Sequence, residues 1–214
     1  FNRRFDPNFA QLKQRLAQGE IGEIEIVTII SRDPAPPPVS YIERSGGLFR
    51  DMMIHDFDMA RFLVGEEFVT VQALGGALVD KAIGEAGDVD TAAVQMQTAS
   101  GKIAVITNSR RATYGYDQRI EVHGSKGAVS AENQRPVSIE VATGAGYTRP
   151  PLHDFFMTRY TEAYAAEIAS FIAALSGKGT ASPSGEDGLI ALALADAAVK
   201  SVAEKRTVLL SEIL

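Results

Sequence analysis

The chain reads as α+β: an open, predominantly antiparallel sheet with helices packed on one face. Three observations predict this class. Between residues 68 and 142 apolar and polar residues alternate with the period of two that marks half-buried strands. The turns in that stretch, Ser100-Gly101 and Ser125-Lys126-Gly127, are too short for a parallel crossover, which takes a dozen or more residues. Helical periodicity brackets the sheet on both sides.

Asp6-Pro7 predicts the first helix, an N-cap followed by proline at the first helical position; Phe9, Leu12 and Leu16 give its apolar stripe and Gly19 its stop. Glu23 to Ile30 alternates and then turns apolar on both faces, as a strand with a buried far end does; Pro34 and Pro36-Pro37-Pro38 end it. Residues 48 to 64 read as a helix closed by Gly65. Phe68–Val79, Thr91–Thr98, Lys102–Thr113, Gln118–His123, Ala128–Ala131 and Val137–Ala142 are the predicted strands of a meander. Phe156, Tyr160, Tyr164, Ile168, Phe171, Ile172 and Leu175 form one helical stripe, expected to be core. Ser184, with Asp187 three residues on, predicts the start of a last helix lined by Leu189, Leu192, Val199 and Val202; Thr207 to Leu210 can add an edge strand. No composition break divides the chain, and no internal repeat is visible.

Composition excludes several function classes. The 214 residues carry 21 Lys plus Arg against 27 Asp plus Glu, a net charge of −6, which argues against a nucleic-acid partner. Without cysteine there is no disulfide framework, thiol catalysis or cysteine-bound zinc. No window approaches the roughly 18 apolar residues of a membrane helix, and no secretory segment is visible, so a cytoplasmic protein is expected. The chain begins Phe1-Asn2-Arg3-Arg4 and reads as starting within a longer protein.

The strongest local signal is Gly46-Gly47-Leu48-Phe49-Arg50-Asp51, continuing to His55-Asp56-Phe57-Asp58. Asp51 and His55 are spaced i, i+4, so on a regular helix they share a face. A carboxylate beside an imidazole raises its basicity and fixes its orientation, as a proton-transfer step needs. An ordinary helix ion pair fits the spacing equally, although the surrounding Met, Ile and Phe make an idle buried pair costly. A divalent-metal set of Asp51, His55 and Asp58 is a third alternative. Gly144-Ala145-Gly146 fails as a dinucleotide fingerprint, because Arg149 stands at the third glycine position and Pro150-Pro151 follow where a helix should open. Arg3-Arg4 and Arg110-Arg111 read as solvated ends or structural ion pairs, and Tyr114-Gly115-Tyr116-Asp117 as a packed corner.

Taken in order, Asn2-Arg3-Arg4-Phe5-Asp6-Pro7, Ser31-Arg32-Asp33-Pro34, the Gly46-to-Asp58 stretch and Tyr114-Gly115-Tyr116-Asp117 resemble the C-terminal domain of the glucose–fructose oxidoreductase/inositol dehydrogenase/rhizopine catabolism family, in its inositol branch. The resemblance spans essentially all 214 residues. It implies a substrate-binding and oligomerisation domain over residues 1–214, preceded in the whole enzyme by a Rossmann domain that binds NAD and carries a catalytic lysine. It implies His55 as the acid–base residue, with Asp51 holding the site, and Asn2, Ser31, Arg32, Asp33 and Tyr116 lining a pocket for a cyclic polyol such as myo-inositol. A homotetramer formed through the open sheet face is also implied. Another sugar or aldose as substrate, or a non-catalytic sugar-binding or scaffold role, remain the alternatives.

Overall fold

The computed structural model describes residues 1–214. A single 3₁₀ turn, Asn2–Phe5, leads to Asp6, whose carboxylate accepts from the backbone N–H groups of Asn8 and Phe9 and starts α1 (Pro7–Ala17). Phe9 and Leu12 fix that helix to the core. In β1 (Ile24–Arg32) the side chains of Val27, Ile29 and Ser31 are buried in alternation, and the proline segment then passes to α2 (Val39–Ser45). A π turn, Phe49–Met53, runs into α3 (Ile54–Val64), which Gly65 ends in the left-handed region at φ 73°.

The remaining elements are β2 (Phe68–Gly76), α4 (Lys81–Glu85), β3 (Thr91–Thr98), β4 (Ile103–Ser109), β5 (Asp117–Gly124), β6 (Gly127–Ala131), β7 (Val141–Thr143), β8 (Gly146–Thr148), α5 (Phe156–Arg159), α6 (Thr161–Leu175), α7 (Gly185–Glu204) and β9 (Val208–Leu209). The main sheet has the order β6-β5-β1-β4-β3-β2-β9. It is predominantly antiparallel, but not the expected simple meander. β1 lies between β4 and β5, antiparallel to β5 and parallel to β4, with Ile29 opposite both Ile106 and Ile120. The link between β4 and β5 is a wider loop, which leaves room for a strand from the start of the chain.

Two further expectations change. Residues 137 to 142 do not join the sheet; β7 and β8 form a separate exposed hairpin around Gly144-Ala145. The stripe on α6 is not core. Ala163 and Tyr160 are buried, but Ile168, Phe171, Ile172 and Leu175 are 61%, 58%, 56% and 72% exposed. Helical periodicity shows that residues share a face, not what that face meets. α7 shows the same displacement on a smaller scale. Its N-terminus carries the expected Ser184–Asp187 capping box, yet its buried face is Ile190, Leu194, Ala197, Ala198 and Ser201, while Leu189 and Leu192 are exposed.

The helices cover one face of the sheet. Val94, Met96, Ala104 and Ile106 point into that layer with Phe57, Met59, Leu63 and Leu194. The other face, with Ala93, Gln95 and Gln97 of β3, is open.

Candidate active site

Two glycines set the entry to the site. Gly46 and Gly47 have φ of 89° and 82°, and a Cβ on Gly47 would lie 2.5 Å from Oδ1 of Asp88. Asp88 needs that approach, because both its oxygens accept from the Leu48 N–H, at 3.1 and 3.0 Å. The π turn that follows carries Asp51, and α3 carries His55 and Asp56. The widened turn takes Asp51 off the row expected at i, i+4. Its carboxylate accepts from the Tyr41 hydroxyl at 2.7 Å and from Arg110 Nη2 at 3.1 Å, rather than from His55.

His55 and Asp51 nonetheless line one cavity of about 830 Å³, together with Asn2, Asp33, Arg110 and Tyr116. Nδ1 of His55 is buried with no hydrogen-bond partner, and the Phe1 ring meets the imidazole edge-on at 5.7 Å. Burial, then the charge of Arg3, lowers its pKa to about 3. The imidazole is therefore neutral at pH 7, with a free lone pair. Asp33 is pushed up to about 6 by burial, against the pull of Arg110, whose Nη1 lies 3.8 Å away. Asn2 presents a buried amide nitrogen without a partner. Tyr116 packs edge-on against Phe155 and Tyr160, with ring centroids 5.9 and 6.0 Å apart.

Other predicted residues lie elsewhere. Ser31 is fully buried behind the cavity wall, exchanging hydrogen bonds with Gln118 at 2.8 and 3.1 Å. Arg32, one residue on, points to the opposite face of the sheet, as strand alternation requires, and donates to the Tyr114 hydroxyl at 2.7 Å. Asp58 pairs with Arg4 at 2.6 and 2.9 Å, so Asp51, His55 and Asp58 do not converge on a metal position.

Sequence reasoning missed Arg3, Arg110 and Tyr41. Of the two readings of Arg3 and Arg110, structural ion pairs is the one observed; both are buried, and their place in the cavity wall is what was missed. Arg3 pairs with Asp56, which is fully buried and also accepts from Asn108 Nδ2 at 2.8 Å. Arg110 bridges Asp33 and Asp51. The available signal was indirect: buried carboxylates in an apolar helix demand cations from elsewhere in the chain. Both cavity cations are thus matched by carboxylates, Arg3 by the buried Asp56 and Arg110 by the half-buried Asp33 and Asp51, and none is left over for an anionic ligand. The arrangement offers a neutral proton acceptor, two carboxylate acceptors and an amide donor to a neutral molecule rich in hydroxyls.

Residues 13–210 match the model of an oxidoreductase family's C-terminal alpha/beta domain. The chain is 73% identical over 208 residues to an inositol 2-dehydrogenase of Rhizobium meliloti (strain 1021), covering 97% of this chain and 63% of the relative. It is 51% identical over 214 residues to the myo-inositol 2-dehydrogenase of Thermotoga maritima, covering 100% of this chain and 64% of that protein. Among solved structures, scyllo-inositol dehydrogenase from Lactobacillus casei with bound NAD(H) and scyllo-inositol superposes with a TM-score of 0.90 at 30% identity, over 99% of this chain and 64% of that one. The chain spans just under two thirds of the length of each of these proteins.

Proposed function

The chain belongs to the glucose–fructose oxidoreductase/inositol dehydrogenase/rhizopine catabolism family of oxidoreductases, through its C-terminal alpha/beta domain, and from that premise we propose that it is the substrate-binding part of an NAD-dependent dehydrogenase that oxidises a secondary hydroxyl of myo-inositol. The observation that carries this is the cavity itself. An unpartnered neutral imidazole and two carboxylates share one chamber in which every cation is already paired. A scaffold without chemistry has no need of an orphaned buried nitrogen, and a phosphorylated sugar would find no free cation.

His55 takes the proton from the hydroxyl being oxidised, and Asp51, held by Tyr41 and Arg110, accepts a neighbouring hydroxyl. Asp33, Asn2 and Tyr116 supply further contacts. An isomer with one hydroxyl inverted leaves one of these groups unpaired, which is the basis for discrimination. Ser31 acts behind the wall, through Gln118 and Arg3, and Arg32 has no place in the pocket. These residues hold no Gly-x-Gly-x-x-Gly opening a helix after a strand, so a preceding domain, with its lysine, would hold the cofactor. NAD bound there supplies the hydride acceptor.

The same proposal includes a homotetramer assembled through the open sheet face, whose half-polar surface suits a partner or water equally, and a cytoplasmic role in inositol catabolism. No helix of the protein is long and apolar enough to cross a membrane. The test is NAD reduction by the full-length protein across inositol isomers and aldoses. Turnover of myo-inositol above the others is expected, and its absence across the inositols would overturn the assignment.

A further inference from the structure

Asp117 opens β5 with a fully buried carboxylate. Its Oδ1 accepts from Arg119 Nε at 2.8 Å and from Asn133 Nδ2 at 2.7 Å. Its Oδ2 accepts from the Tyr114 hydroxyl at 2.6 Å and from Arg119 Nη2 at 2.9 Å, with Arg32 Nη1 at 3.5 Å. Burial alone would raise its pKa, but these hydrogen bonds hold it below the ordinary 3.8, so it is charged at pH 7. None of the five residues lines the chamber. Asp117 stands opposite Arg32 in the sheet, and Gln118 opposite Ser31, so Asp117 faces the open side and Gln118 the helices. Both chain neighbours of Asp117 therefore turn toward the site. Tyr116 lines the chamber, and Gln118 holds Ser31 behind its wall.

The corner between is tight. Gly115 has φ 115°, and a Cβ there would lie 2.8 Å from Cβ of Leu152. The next N–H, that of Tyr116, donates to the His153 carbonyl at 2.9 Å. The Tyr116 ring packs edge-on against two other rings, a contact that leaves its aim to the backbone. We propose that Asp117 is the positioning residue for Tyr116: fastened on the open face by Tyr114, Arg119, Asn133 and Arg32, it fixes the corner that aims Tyr116 at the polyol. Arg32 and Tyr114, which lie outside the pocket, thus act on substrate binding from the far side of the sheet. This deepens the chamber reading proposed above and rests on it.

The test uses the full-length protein. Tyr114→Phe removes one donor to Asp117 and leaves the chamber lining untouched. It is expected to raise KM for myo-inositol at least ~5-fold, with kcat within about 2-fold of wild type and the Kd for NAD unchanged, the pattern of a lost binding contact. In a Tyr116→Phe background the same change is expected to add no further rise in KM. Exchange of the Tyr116 amide, which needs no substrate, is expected to quicken at least ~10-fold in Tyr114→Phe. Asp117→Asn is expected to show the same split between KM and kcat; should it fail to fold, Tyr114→Phe decides. A lowered urea midpoint with unchanged KM leaves Asp117 a structural role only and overturns the inference. A rise in KM of equal size in the Tyr116→Phe background overturns the route through Tyr116, as does unchanged amide exchange. A wild-type enzyme that oxidises no inositol overturns the chamber reading, and this inference with it.

Discussion

Replacing Arg110 by methionine removes the cation between Asp33 and Asp51 while keeping a long apolar side chain in its place. The Arg110 side chain is 2% exposed and that of Asp33 is 15% exposed, so water screens the pair only weakly. At 3.8 Å and an effective dielectric constant of about 20, two opposite charges attract by about 4 kcal/mol. At 1.36 kcal/mol per pH unit that corresponds to an upper bound of ~3 pH units. Water entering from the cavity reduces it, and a rise of at least ~1 pH unit is the working expectation. Asp33 titrates at about 6 in the intact site, because burial raises it and Arg110 restrains it. Without Arg110 at least about half of it is protonated at pH 7, and that fraction no longer accepts from a substrate hydroxyl without also carrying a proton. The assay is kcat/KM of the full-length enzyme across pH, with Arg110→Met, Asp33→Asn and the double variant. The acidic limb near 6 should move upward in Arg110→Met and be absent in Asp33→Asn. The double variant should show no second shift, since the two residues act as a unit. An acidic limb that stays at the wild-type position in Arg110→Met would refute the coupling.

Four further outcomes are expected. His55→Ala should lower kcat of the full-length enzyme at least ~100-fold, the usual reach of a general base, with near-normal NAD affinity; a variant with near-wild-type kcat removes His55 from the chemistry. Asp56→Ala strands the buried guanidinium of Arg3 and should cost about 3–5 kcal/mol, read as a lowered urea midpoint. His55 folds with its pKa depressed from 6.5 to about 3, so the unfolded chain binds the extra proton and stability falls as pH drops below 6.5. Asp33 acts in the opposite sense, losing stability as pH rises from 3.8 through about 6; His55→Asn should therefore flatten the acid side of the urea-midpoint curve, and an unaltered curve counts against the burial of the imidazole. Residues 1–214 alone should not reduce NAD with myo-inositol, and measured turnover by them would contradict the need for a preceding domain.

What could be read from the sequence was what is local. The Asp6-Pro7 start, the Gly65 stop, the Ser184–Asp187 box and the alternation in β1 each depend on residues a few positions apart, and each is observed. His55, Asp51, Asp33, Asn2 and Tyr116 were all singled out, and all line the cavity. What was not legible depends on residues far apart in the chain. Nothing near Arg110 in the sequence shows that Asp33 and Asp51 converge on it, and no short-range pattern places β1 between β4 and β5. The Asp51–His55 pair was expected and is not formed, for a different reason, since a π turn changes the spacing that an i, i+4 argument assumes. The α6 stripe was recognised as apolar and wrongly expected to be core, because periodicity shows that residues share a face and not what that face meets.

The parallel insertion of β1 sets an order of events in time. Ser31 meets Gln118, 87 residues later in the chain, and the strands on both sides of β1 are synthesised long after it. During translation β1 waits with its apolar residues uncovered until β4 and β5 leave the ribosome, and such long-range pairing is slow to form. The sheet then closes around a strand that was present from the outset.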